Sequence, residues 1–145
     1  MTPFAWWSGL TAKDAGAGLE MAKSKLLSEV VSGRTYWMPS STPPARTGAR
    51  AYLLPNYDEY LIAYRDRQTR DGRGNLLFSH TIVLDGEIAG TWKRALAKDC
   101  VTIEAHPFAP PNPIHSRLLA AAAVRYGKFL GLAARLVTSS PPRQT

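Results

Sequence analysis

Apolar and polar positions along the chain follow two periods, and the change from one to the other marks out the elements. Phe4, Trp6 and Trp7 form a short aromatic stretch that Gly9 ends. Ala15, Leu19, Ala22 and Leu26 then recur at helical spacing and share one face, with Lys13, Gly16, Glu20 and Lys23 opposite. Thr11 is placed to cap this helix, and Asp14 three residues later completes an approximate capping box. Gly16 and Gly18 lie inside it at up to about 1 kcal/mol each relative to alanine, so the helix needs tertiary support. Residues 27–31 and 35–38 read as two short strands around Ser32-Gly33-Arg34, a hairpin.

Farther on, 51–54 reads as a strand stopped by Pro55, and 57–64 (YDEYLIAY) fits either a strand or a helical turn. Residues 65–75 form a polar, glycine-containing loop. The clearest β-signal is 76–84 and 87–96 flanking Asp85-Gly86, a dipeptide suited to a two-residue type I′ turn. A turn at 97–99 leads to a third strand, 100–105, giving a three-stranded antiparallel meander. Pro107, Pro110 and Pro111 indicate that 106–112 cannot extend it. Residues 114–132 read as a helix. At about 100° per residue from Arg117, Arg125 falls near 80°, Lys128 near 20° and Arg135 near 0°. Leu118, Leu119, Tyr126, Phe129 and Leu130 spread from about 100° to 220°, an apolar side facing away from the cations.

Composition divides the chain into 1–38, a Pro/Ser/Gly linker at 39–48 (PSSTPPARTG), a main body at 49–137 and a Ser/Pro tail at 138–145 expected to be disordered. With 145 residues, 45% hydrophobic and 10% aromatic, a real core is possible, and disordered or collagen-like chains are excluded. No apolar run approaches the roughly 18 residues of a spanning helix, and no signal peptide is visible. The single cysteine, Cys100, excludes an internal disulfide and fits a reducing compartment, so a cytoplasmic location is expected.

The net charge is +7 and the isoelectric point about 9.9, which favours polyanionic partners. Glu104 is the last acidic residue, and Arg117, Arg125, Lys128, Arg135 and Arg143 follow it. A second cluster, Arg65, Arg67, Arg70 and Arg73, is diluted by Asp66 and Asp71. The cations of the last helix suit either a solvated face or a phosphate-facing stripe.

Catalytic chemistry is not assembled anywhere along the chain. Cys100, His106 and His115 lack metal-ligand spacing, and neighbours His80 and Ser79 in a strand point to opposite faces. No phosphate-binding glycine loop occurs. No cofactor and no metal is implied.

Two stretches carry a resemblance. FAWWSGLTAKDA (4–15) with GRTYW (33–37) resembles the recognition half and wing of the third winged helix in bacterial winged helix DNA-binding domain-containing proteins. LLPNYDEYLIAYRDR (53–67) and VLDGEIAGTWKR (83–94) resemble the C-terminal β-domain of the same proteins, and KFLGL (128–132) fits its closing helix. That family includes the AlkZ/YcaQ-type DNA glycosylases, which remove alkylated or crosslinked bases. Their catalytic Gln-x-Gln or Gln-x-Asp motif is absent here, where the only glutamines are Gln68 and Gln144. The resemblance therefore implies a C-terminal portion without catalytic activity of its own.

The fold class expected is α+β: a truncated winged-helix half, helix plus β-hairpin, then an antiparallel β-rich, barrel-like domain with a C-terminal amphipathic helix. The expected partner is duplex DNA, bound non-specifically. The resemblance makes Lys13, Lys23 and Lys25 phosphate contacts, and the cation pattern adds Arg65, Arg67, Arg70, Lys93, Arg94, Arg117, Arg125 and Lys128. Tyr57, Asp58, Arg65, Asp66 and Arg67 equally suit a structural ion-pair network. Trp92 is core and Lys93 outward, or the reverse if the register slips. Phe4, Trp6, Trp7 and Leu10 form an apolar patch for a separate N-terminal winged-helix polypeptide or a second copy, which would make the chain a scaffold completing a glycosylase.

Overall fold

A computed structural model describes residues 3–43, 48–63 and 76–139. The chain divides into two compact units, Met1–Thr47 and Gly48–Thr145.

The first unit opens with α1 (Pro3–Ser8) and α2 (Ala12–Ala22), followed by a 3-10 turn (Lys23–Lys25) and the strands β1 (Leu26–Val31) and β2 (Arg34–Pro39). The aromatic stretch is thus itself helical. Ser8 Oγ donates to Phe4 O at 2.7 Å, which closes the short turn. Thr11 caps α2: its Oγ1 accepts the Asp14 N–H at 3.1 Å and donates to Asp14 Oδ2 at 2.6 Å. Ala15 is buried on this helix and Leu19 and Ala22 are half-buried, whereas Leu26, expected on the same helical face, is the first residue of β1. The hairpin pairs Leu26 with Pro39 through to Val31 with Arg34, around a turn of two residues, Ser32 and Gly33.

The second unit is a curled five-stranded sheet, a half-barrel, with a long helix on it. It comprises β3 (Ala51–Leu54), α3 (Glu59–Ile62), a 3-10 turn (Leu76–Phe78), β4 (Thr81–Leu84), β5 (Glu87–Leu96), β6 (Cys100–Pro107), α4 (Pro113–Leu130) and β7 (Ala133–Thr138). Sheet order follows chain order from β3 to β7. The core joins Ile82, Trp92, Val101, Ile103 and Ala105 of the sheet to Leu119, Ala122 and Ala123 of α4. Alternate residues of β6 are buried, as expected of a strand with one covered face. The β4–β5 turn places Asp85 at φ 51° and Gly86 at φ 82°, the left-handed pair a type I′ turn requires.

The structure corrects several expectations. The sheet is not wholly antiparallel, because β7 runs parallel to β6, with α4 as the crossover. The helix ends at Leu130, short of the expected 132, and the strand begins at Ala133. Gly131, at φ 70°, ends α4, and the Leu132 N–H returns to Gly127 O at 2.9 Å. Leu132, Ala134 and Leu136 pack on the core at a period of two. Arg135 consequently lies on a strand and not on the helical stripe, and Thr138, assigned to the tail, is paired with Ala105.

The stretch 76–84 is a 3-10 turn and a four-residue strand, because its partner β3 extends only from Ala51 to Leu54. Conversely β6 reaches Pro107. The Phe108 N–H bonds Ala89 O on β5, so the missing donor of Pro107 points to the other side, beyond the last β6–β7 pair at Ala105. The open question at 57–64 resolves as one helical turn, α3, capped by Asp58. The loop at 65–75 and residues beyond 139 lie outside the described residues.

Candidate nucleic-acid interface

In the first unit, α2 and the turn after it carry Lys13, Lys23 and Lys25, all exposed. They are not equivalent. Lys23 Nζ lies 3.1 Å from Glu20 Oε1 and 5.6 Å from the centre of the Trp37 ring, so part of its charge is already answered. Lys13 and Lys25 make no ion pair among the described residues and present full charge to solvent.

In the second unit the cations separate by role. On β5, Trp92 is buried and Lys93 exposed, which fixes the register left open by alternation. Trp92 Nε1–H donates to Leu54 O at 2.9 Å, and its ring stacks edge-on against Tyr126. Arg94, two residues on and on the same face, donates to the Tyr126 hydroxyl, which ties it to α4. Arg125 also has a structural partner. Its Nη2 donates to Ala51 O at 2.7 Å, closing an outward carbonyl of the edge strand β3. Arg117 and Lys128 are exposed and without an ion pair among the described residues. Lys128 also sits in the last turn of α4, where a cation complements the helix dipole. The expected separation of apolar and basic sides on α4 is broken by Phe129, which is 83% exposed. Arg65, Arg67 and Arg70 lie outside the described residues.

The LLPNYDEYL motif has a structural job. Tyr57 takes φ 57°, a left-handed conformation strained for a bulky side chain, and so turns the chain from β3 into α3. Asp58 Oδ1 then accepts the Tyr60 N–H at 2.9 Å, and the Tyr60 hydroxyl donates to Gly86 O on the β4–β5 turn. Asp58 is thus a helix cap, and Arg65, Asp66 and Arg67 of the expected ion-pair network lie outside the described residues.

One cluster escaped the sequence reading. Asp85 Oδ1 accepts the Arg50 N–H at 2.6 Å, and Oδ2 lies 2.8 Å from His115 Nε2 in the first turn of α4. The His115 ring first, and then the Arg50 N–H, hold the Asp85 carboxyl below its ordinary value. Beside it an open cavity of about 430 Å³ is lined by Gly48, Ala49, Arg50, Tyr52, Asp85 and Gly86. Arg50 and Tyr52 share a face of the chain entering β3, with Nη1 3.5 Å from the Tyr52 hydroxyl. Their i, i+2 spacing was the available signal, but nothing local links them to Asp85, 35 residues away. The other histidines have neighbours of their own: His80 lies against Trp92, and His106 Nδ1 is 2.6 Å from Ser139 Oγ. Among the described residues no three His, Cys, Asp or Glu side chains converge, and no helix is long and apolar enough to cross a membrane.

Comparison with known proteins decides what this scaffold is. The family model described as DNA glycosylase AlkZ-like matches residues 2–129. The chain belongs to the AlkZ-like DNA glycosylase family. The Streptomyces sahachiroi DNA glycosylase AlkZ shares its fold, with a TM-score of 0.64 and 16% sequence identity over 95% of this chain. The match takes in 40% of that glycosylase, so this chain spans well under half of its length. No curated protein sequence matches. The family overturns the expectation that the chain is not an enzyme: AlkZ-like proteins are DNA glycosylases, and the missing glutamine motif does not remove this chain from an enzyme family.

Proposed function

We propose that this chain is a DNA-gripping portion of an AlkZ-like DNA glycosylase, holding duplex DNA non-specifically, in the cytoplasm, for excision of a damaged base. The observation that carries the reading is the family match over residues 2–129 in a chain of net charge +7. The helix–helix–hairpin unit is taken as the recognition helix and wing of a winged helix, with α2 toward the DNA. Lys13, Lys25 and Lys93 are the phosphate contacts this reading favours: each is exposed without an ion pair among the described residues and, unlike Arg117 and Lys128, none shares a helix face with the exposed Ile114 and Val124. Lys23 contributes less because Glu20 is beside it. Gly16 and Ala17 stand where base reading would require longer polar side chains, which supports contact with phosphates in preference to base edges.

Fluorescence anisotropy of a labelled duplex, titrated with the whole chain at several salt concentrations, tests it. Each phosphate contact contributes about −0.9 to the log–log salt slope, so Lys13→Ala with Lys25→Ala makes it shallower by about 2. A folded chain that binds no DNA at low salt, or a double variant with unchanged affinity and slope, refutes it.

A second reading rests on the exposure of Phe4, Trp6, Trp7 and Leu10, four large apolar side chains within seven residues. They suit burial against another polypeptide, either a separate N-terminal part of the glycosylase or a second copy. Sedimentation over a range of concentrations separates these. Self-association that Trp7→Ser abolishes supports a second copy, and a monomer throughout excludes it.

A further inference from the structure

The outer face of α4 carries a pattern that neither the core nor a DNA backbone explains. The inner face is occupied by Leu119, Ala122, Ala123 and Gly127. Outside, Ile114, Arg117, Ala121, Val124 and Lys128 follow one another at alternating spacings of three and four, a continuous seam about 21 Å long. Ile114 and Val124 are each 60% exposed. Between the cations the seam is apolar and narrow, because Ala120 and Ala121 let another backbone approach closely.

We propose that this seam docks an acidic amphipathic helix of a partner polypeptide. Charge selects the occupant. The helix Pro113–Leu130 contains no Asp or Glu, so a second copy of α4 laid along it would set Arg117 and Lys128 against like charges. Phosphates would answer those two cations but would hold Ile114 and Val124 against a charged, hydrated surface. A helix with apolar residues on one face and carboxylates flanking them answers both features at once: its apolar face covers Ile114, Ala121 and Val124, and its acids meet Arg117 and Lys128. Arg125 is committed to Ala51 O and defines the margin of the seam.

The test titrates the whole chain into a fluorescein-labelled synthetic peptide of about three heptads, with leucine at a and d and glutamate at e and g, beside the same peptide with lysine for glutamate. The acidic peptide binds and the basic one does not. Val124→Glu weakens the acidic peptide by about tenfold or more, and Lys128→Glu weakens it while admitting the basic peptide. Both positions are on the surface, and unchanged circular-dichroism melts confirm that the variants fold. No binding of the acidic peptide, or equal binding by wild type and Val124→Glu, overturns the proposal. So does its displacement by duplex DNA or by vesicles of phosphatidylserine and phosphatidylcholine, which would give the face to phosphates or to a membrane surface.

Discussion

Two glycine-to-alanine substitutions, the same chemistry in two helices, are expected to change stability in opposite directions. Placing alanine inside a helix normally stabilises by up to about 1 kcal/mol, because glycine loses more backbone entropy on folding. At Gly18 on α2 an added Cβ meets nothing within 4 Å, so Gly18→Ala should realise that gain. At Gly127 on α4 the added Cβ would lie 2.7 Å from Ala134 Cβ, 2.8 Å from Leu132 O and 3.2 Å from Ala134 N. Carbon atoms pack best at about 3.5–4.0 Å, so the overlap with Ala134 is on the order of 1 Å. Two of the three atoms are backbone at the α4–β7 junction and cannot swing aside. Overpacking of this kind costs about 1–3 kcal/mol, and the backbone contacts place it at the upper end. Set against the entropy gain, the net loss is about 1–2 kcal/mol, or roughly 5–10 °C in Tm for a unit of this size. Circular-dichroism melts give the overall shift, and hydrogen exchange by mass spectrometry locates it. Protection should fall in peptides from β6 and β7 for Gly127→Ala and rise in peptides from α2 for Gly18→Ala. A Gly127→Ala variant as stable as wild type would show that the close approach of α4 to β7 is not what requires glycine.

Other outcomes follow from the contacts described. Trp92→Phe keeps a ring in the core but leaves Leu54 O without its side-chain donor, and should cost about 1–2 kcal/mol by urea denaturation. Arg125→Ala frees Ala51 O at the sheet edge and should destabilise by about 1 kcal/mol in the same assay, whereas Arg117→Ala should stay within about 0.5 kcal/mol of wild type. The Asp85 carboxyl is held below its ordinary value near 3.8 by His115 and Arg50. Its stabilising effect is therefore complete above that value and lost as pH falls through the lower, folded-state value. Thermal melts from pH 5 downward should show a steeper acid loss in wild type than in Asp85→Asn, and an equal slope would remove Asp85 from the acid response.

Structure set by neighbours in sequence was legible from the chain alone. Thr11 and Asp14 announce the start of α2, the turn dipeptides Ser32-Gly33 and Asp85-Gly86 close both hairpins, and the bounds of β3 and β5 follow from alternation and Pro55. Each of these is fixed by a local hydrogen bond, a φ preference or a period. The family resemblance was carried by residues now seen to hold the β3–α3 corner together: Tyr57 by its left-handed turn, Asp58 as a cap and Tyr60 through Gly86. What the tertiary structure alone decided depends on partners far apart in sequence. Residues 133–138 form a strand because β6 offers an open edge beside them, while in isolation Ala-Ala-Arg-Leu-Val-Thr reads equally well as the end of a helix. Arg125 and Arg94 look like two more surface cations until Ala51 O and Tyr126 are brought to them. Charge and period are properties of a segment, whereas a hydrogen-bond partner 74 residues away is supplied only by the packed sheet.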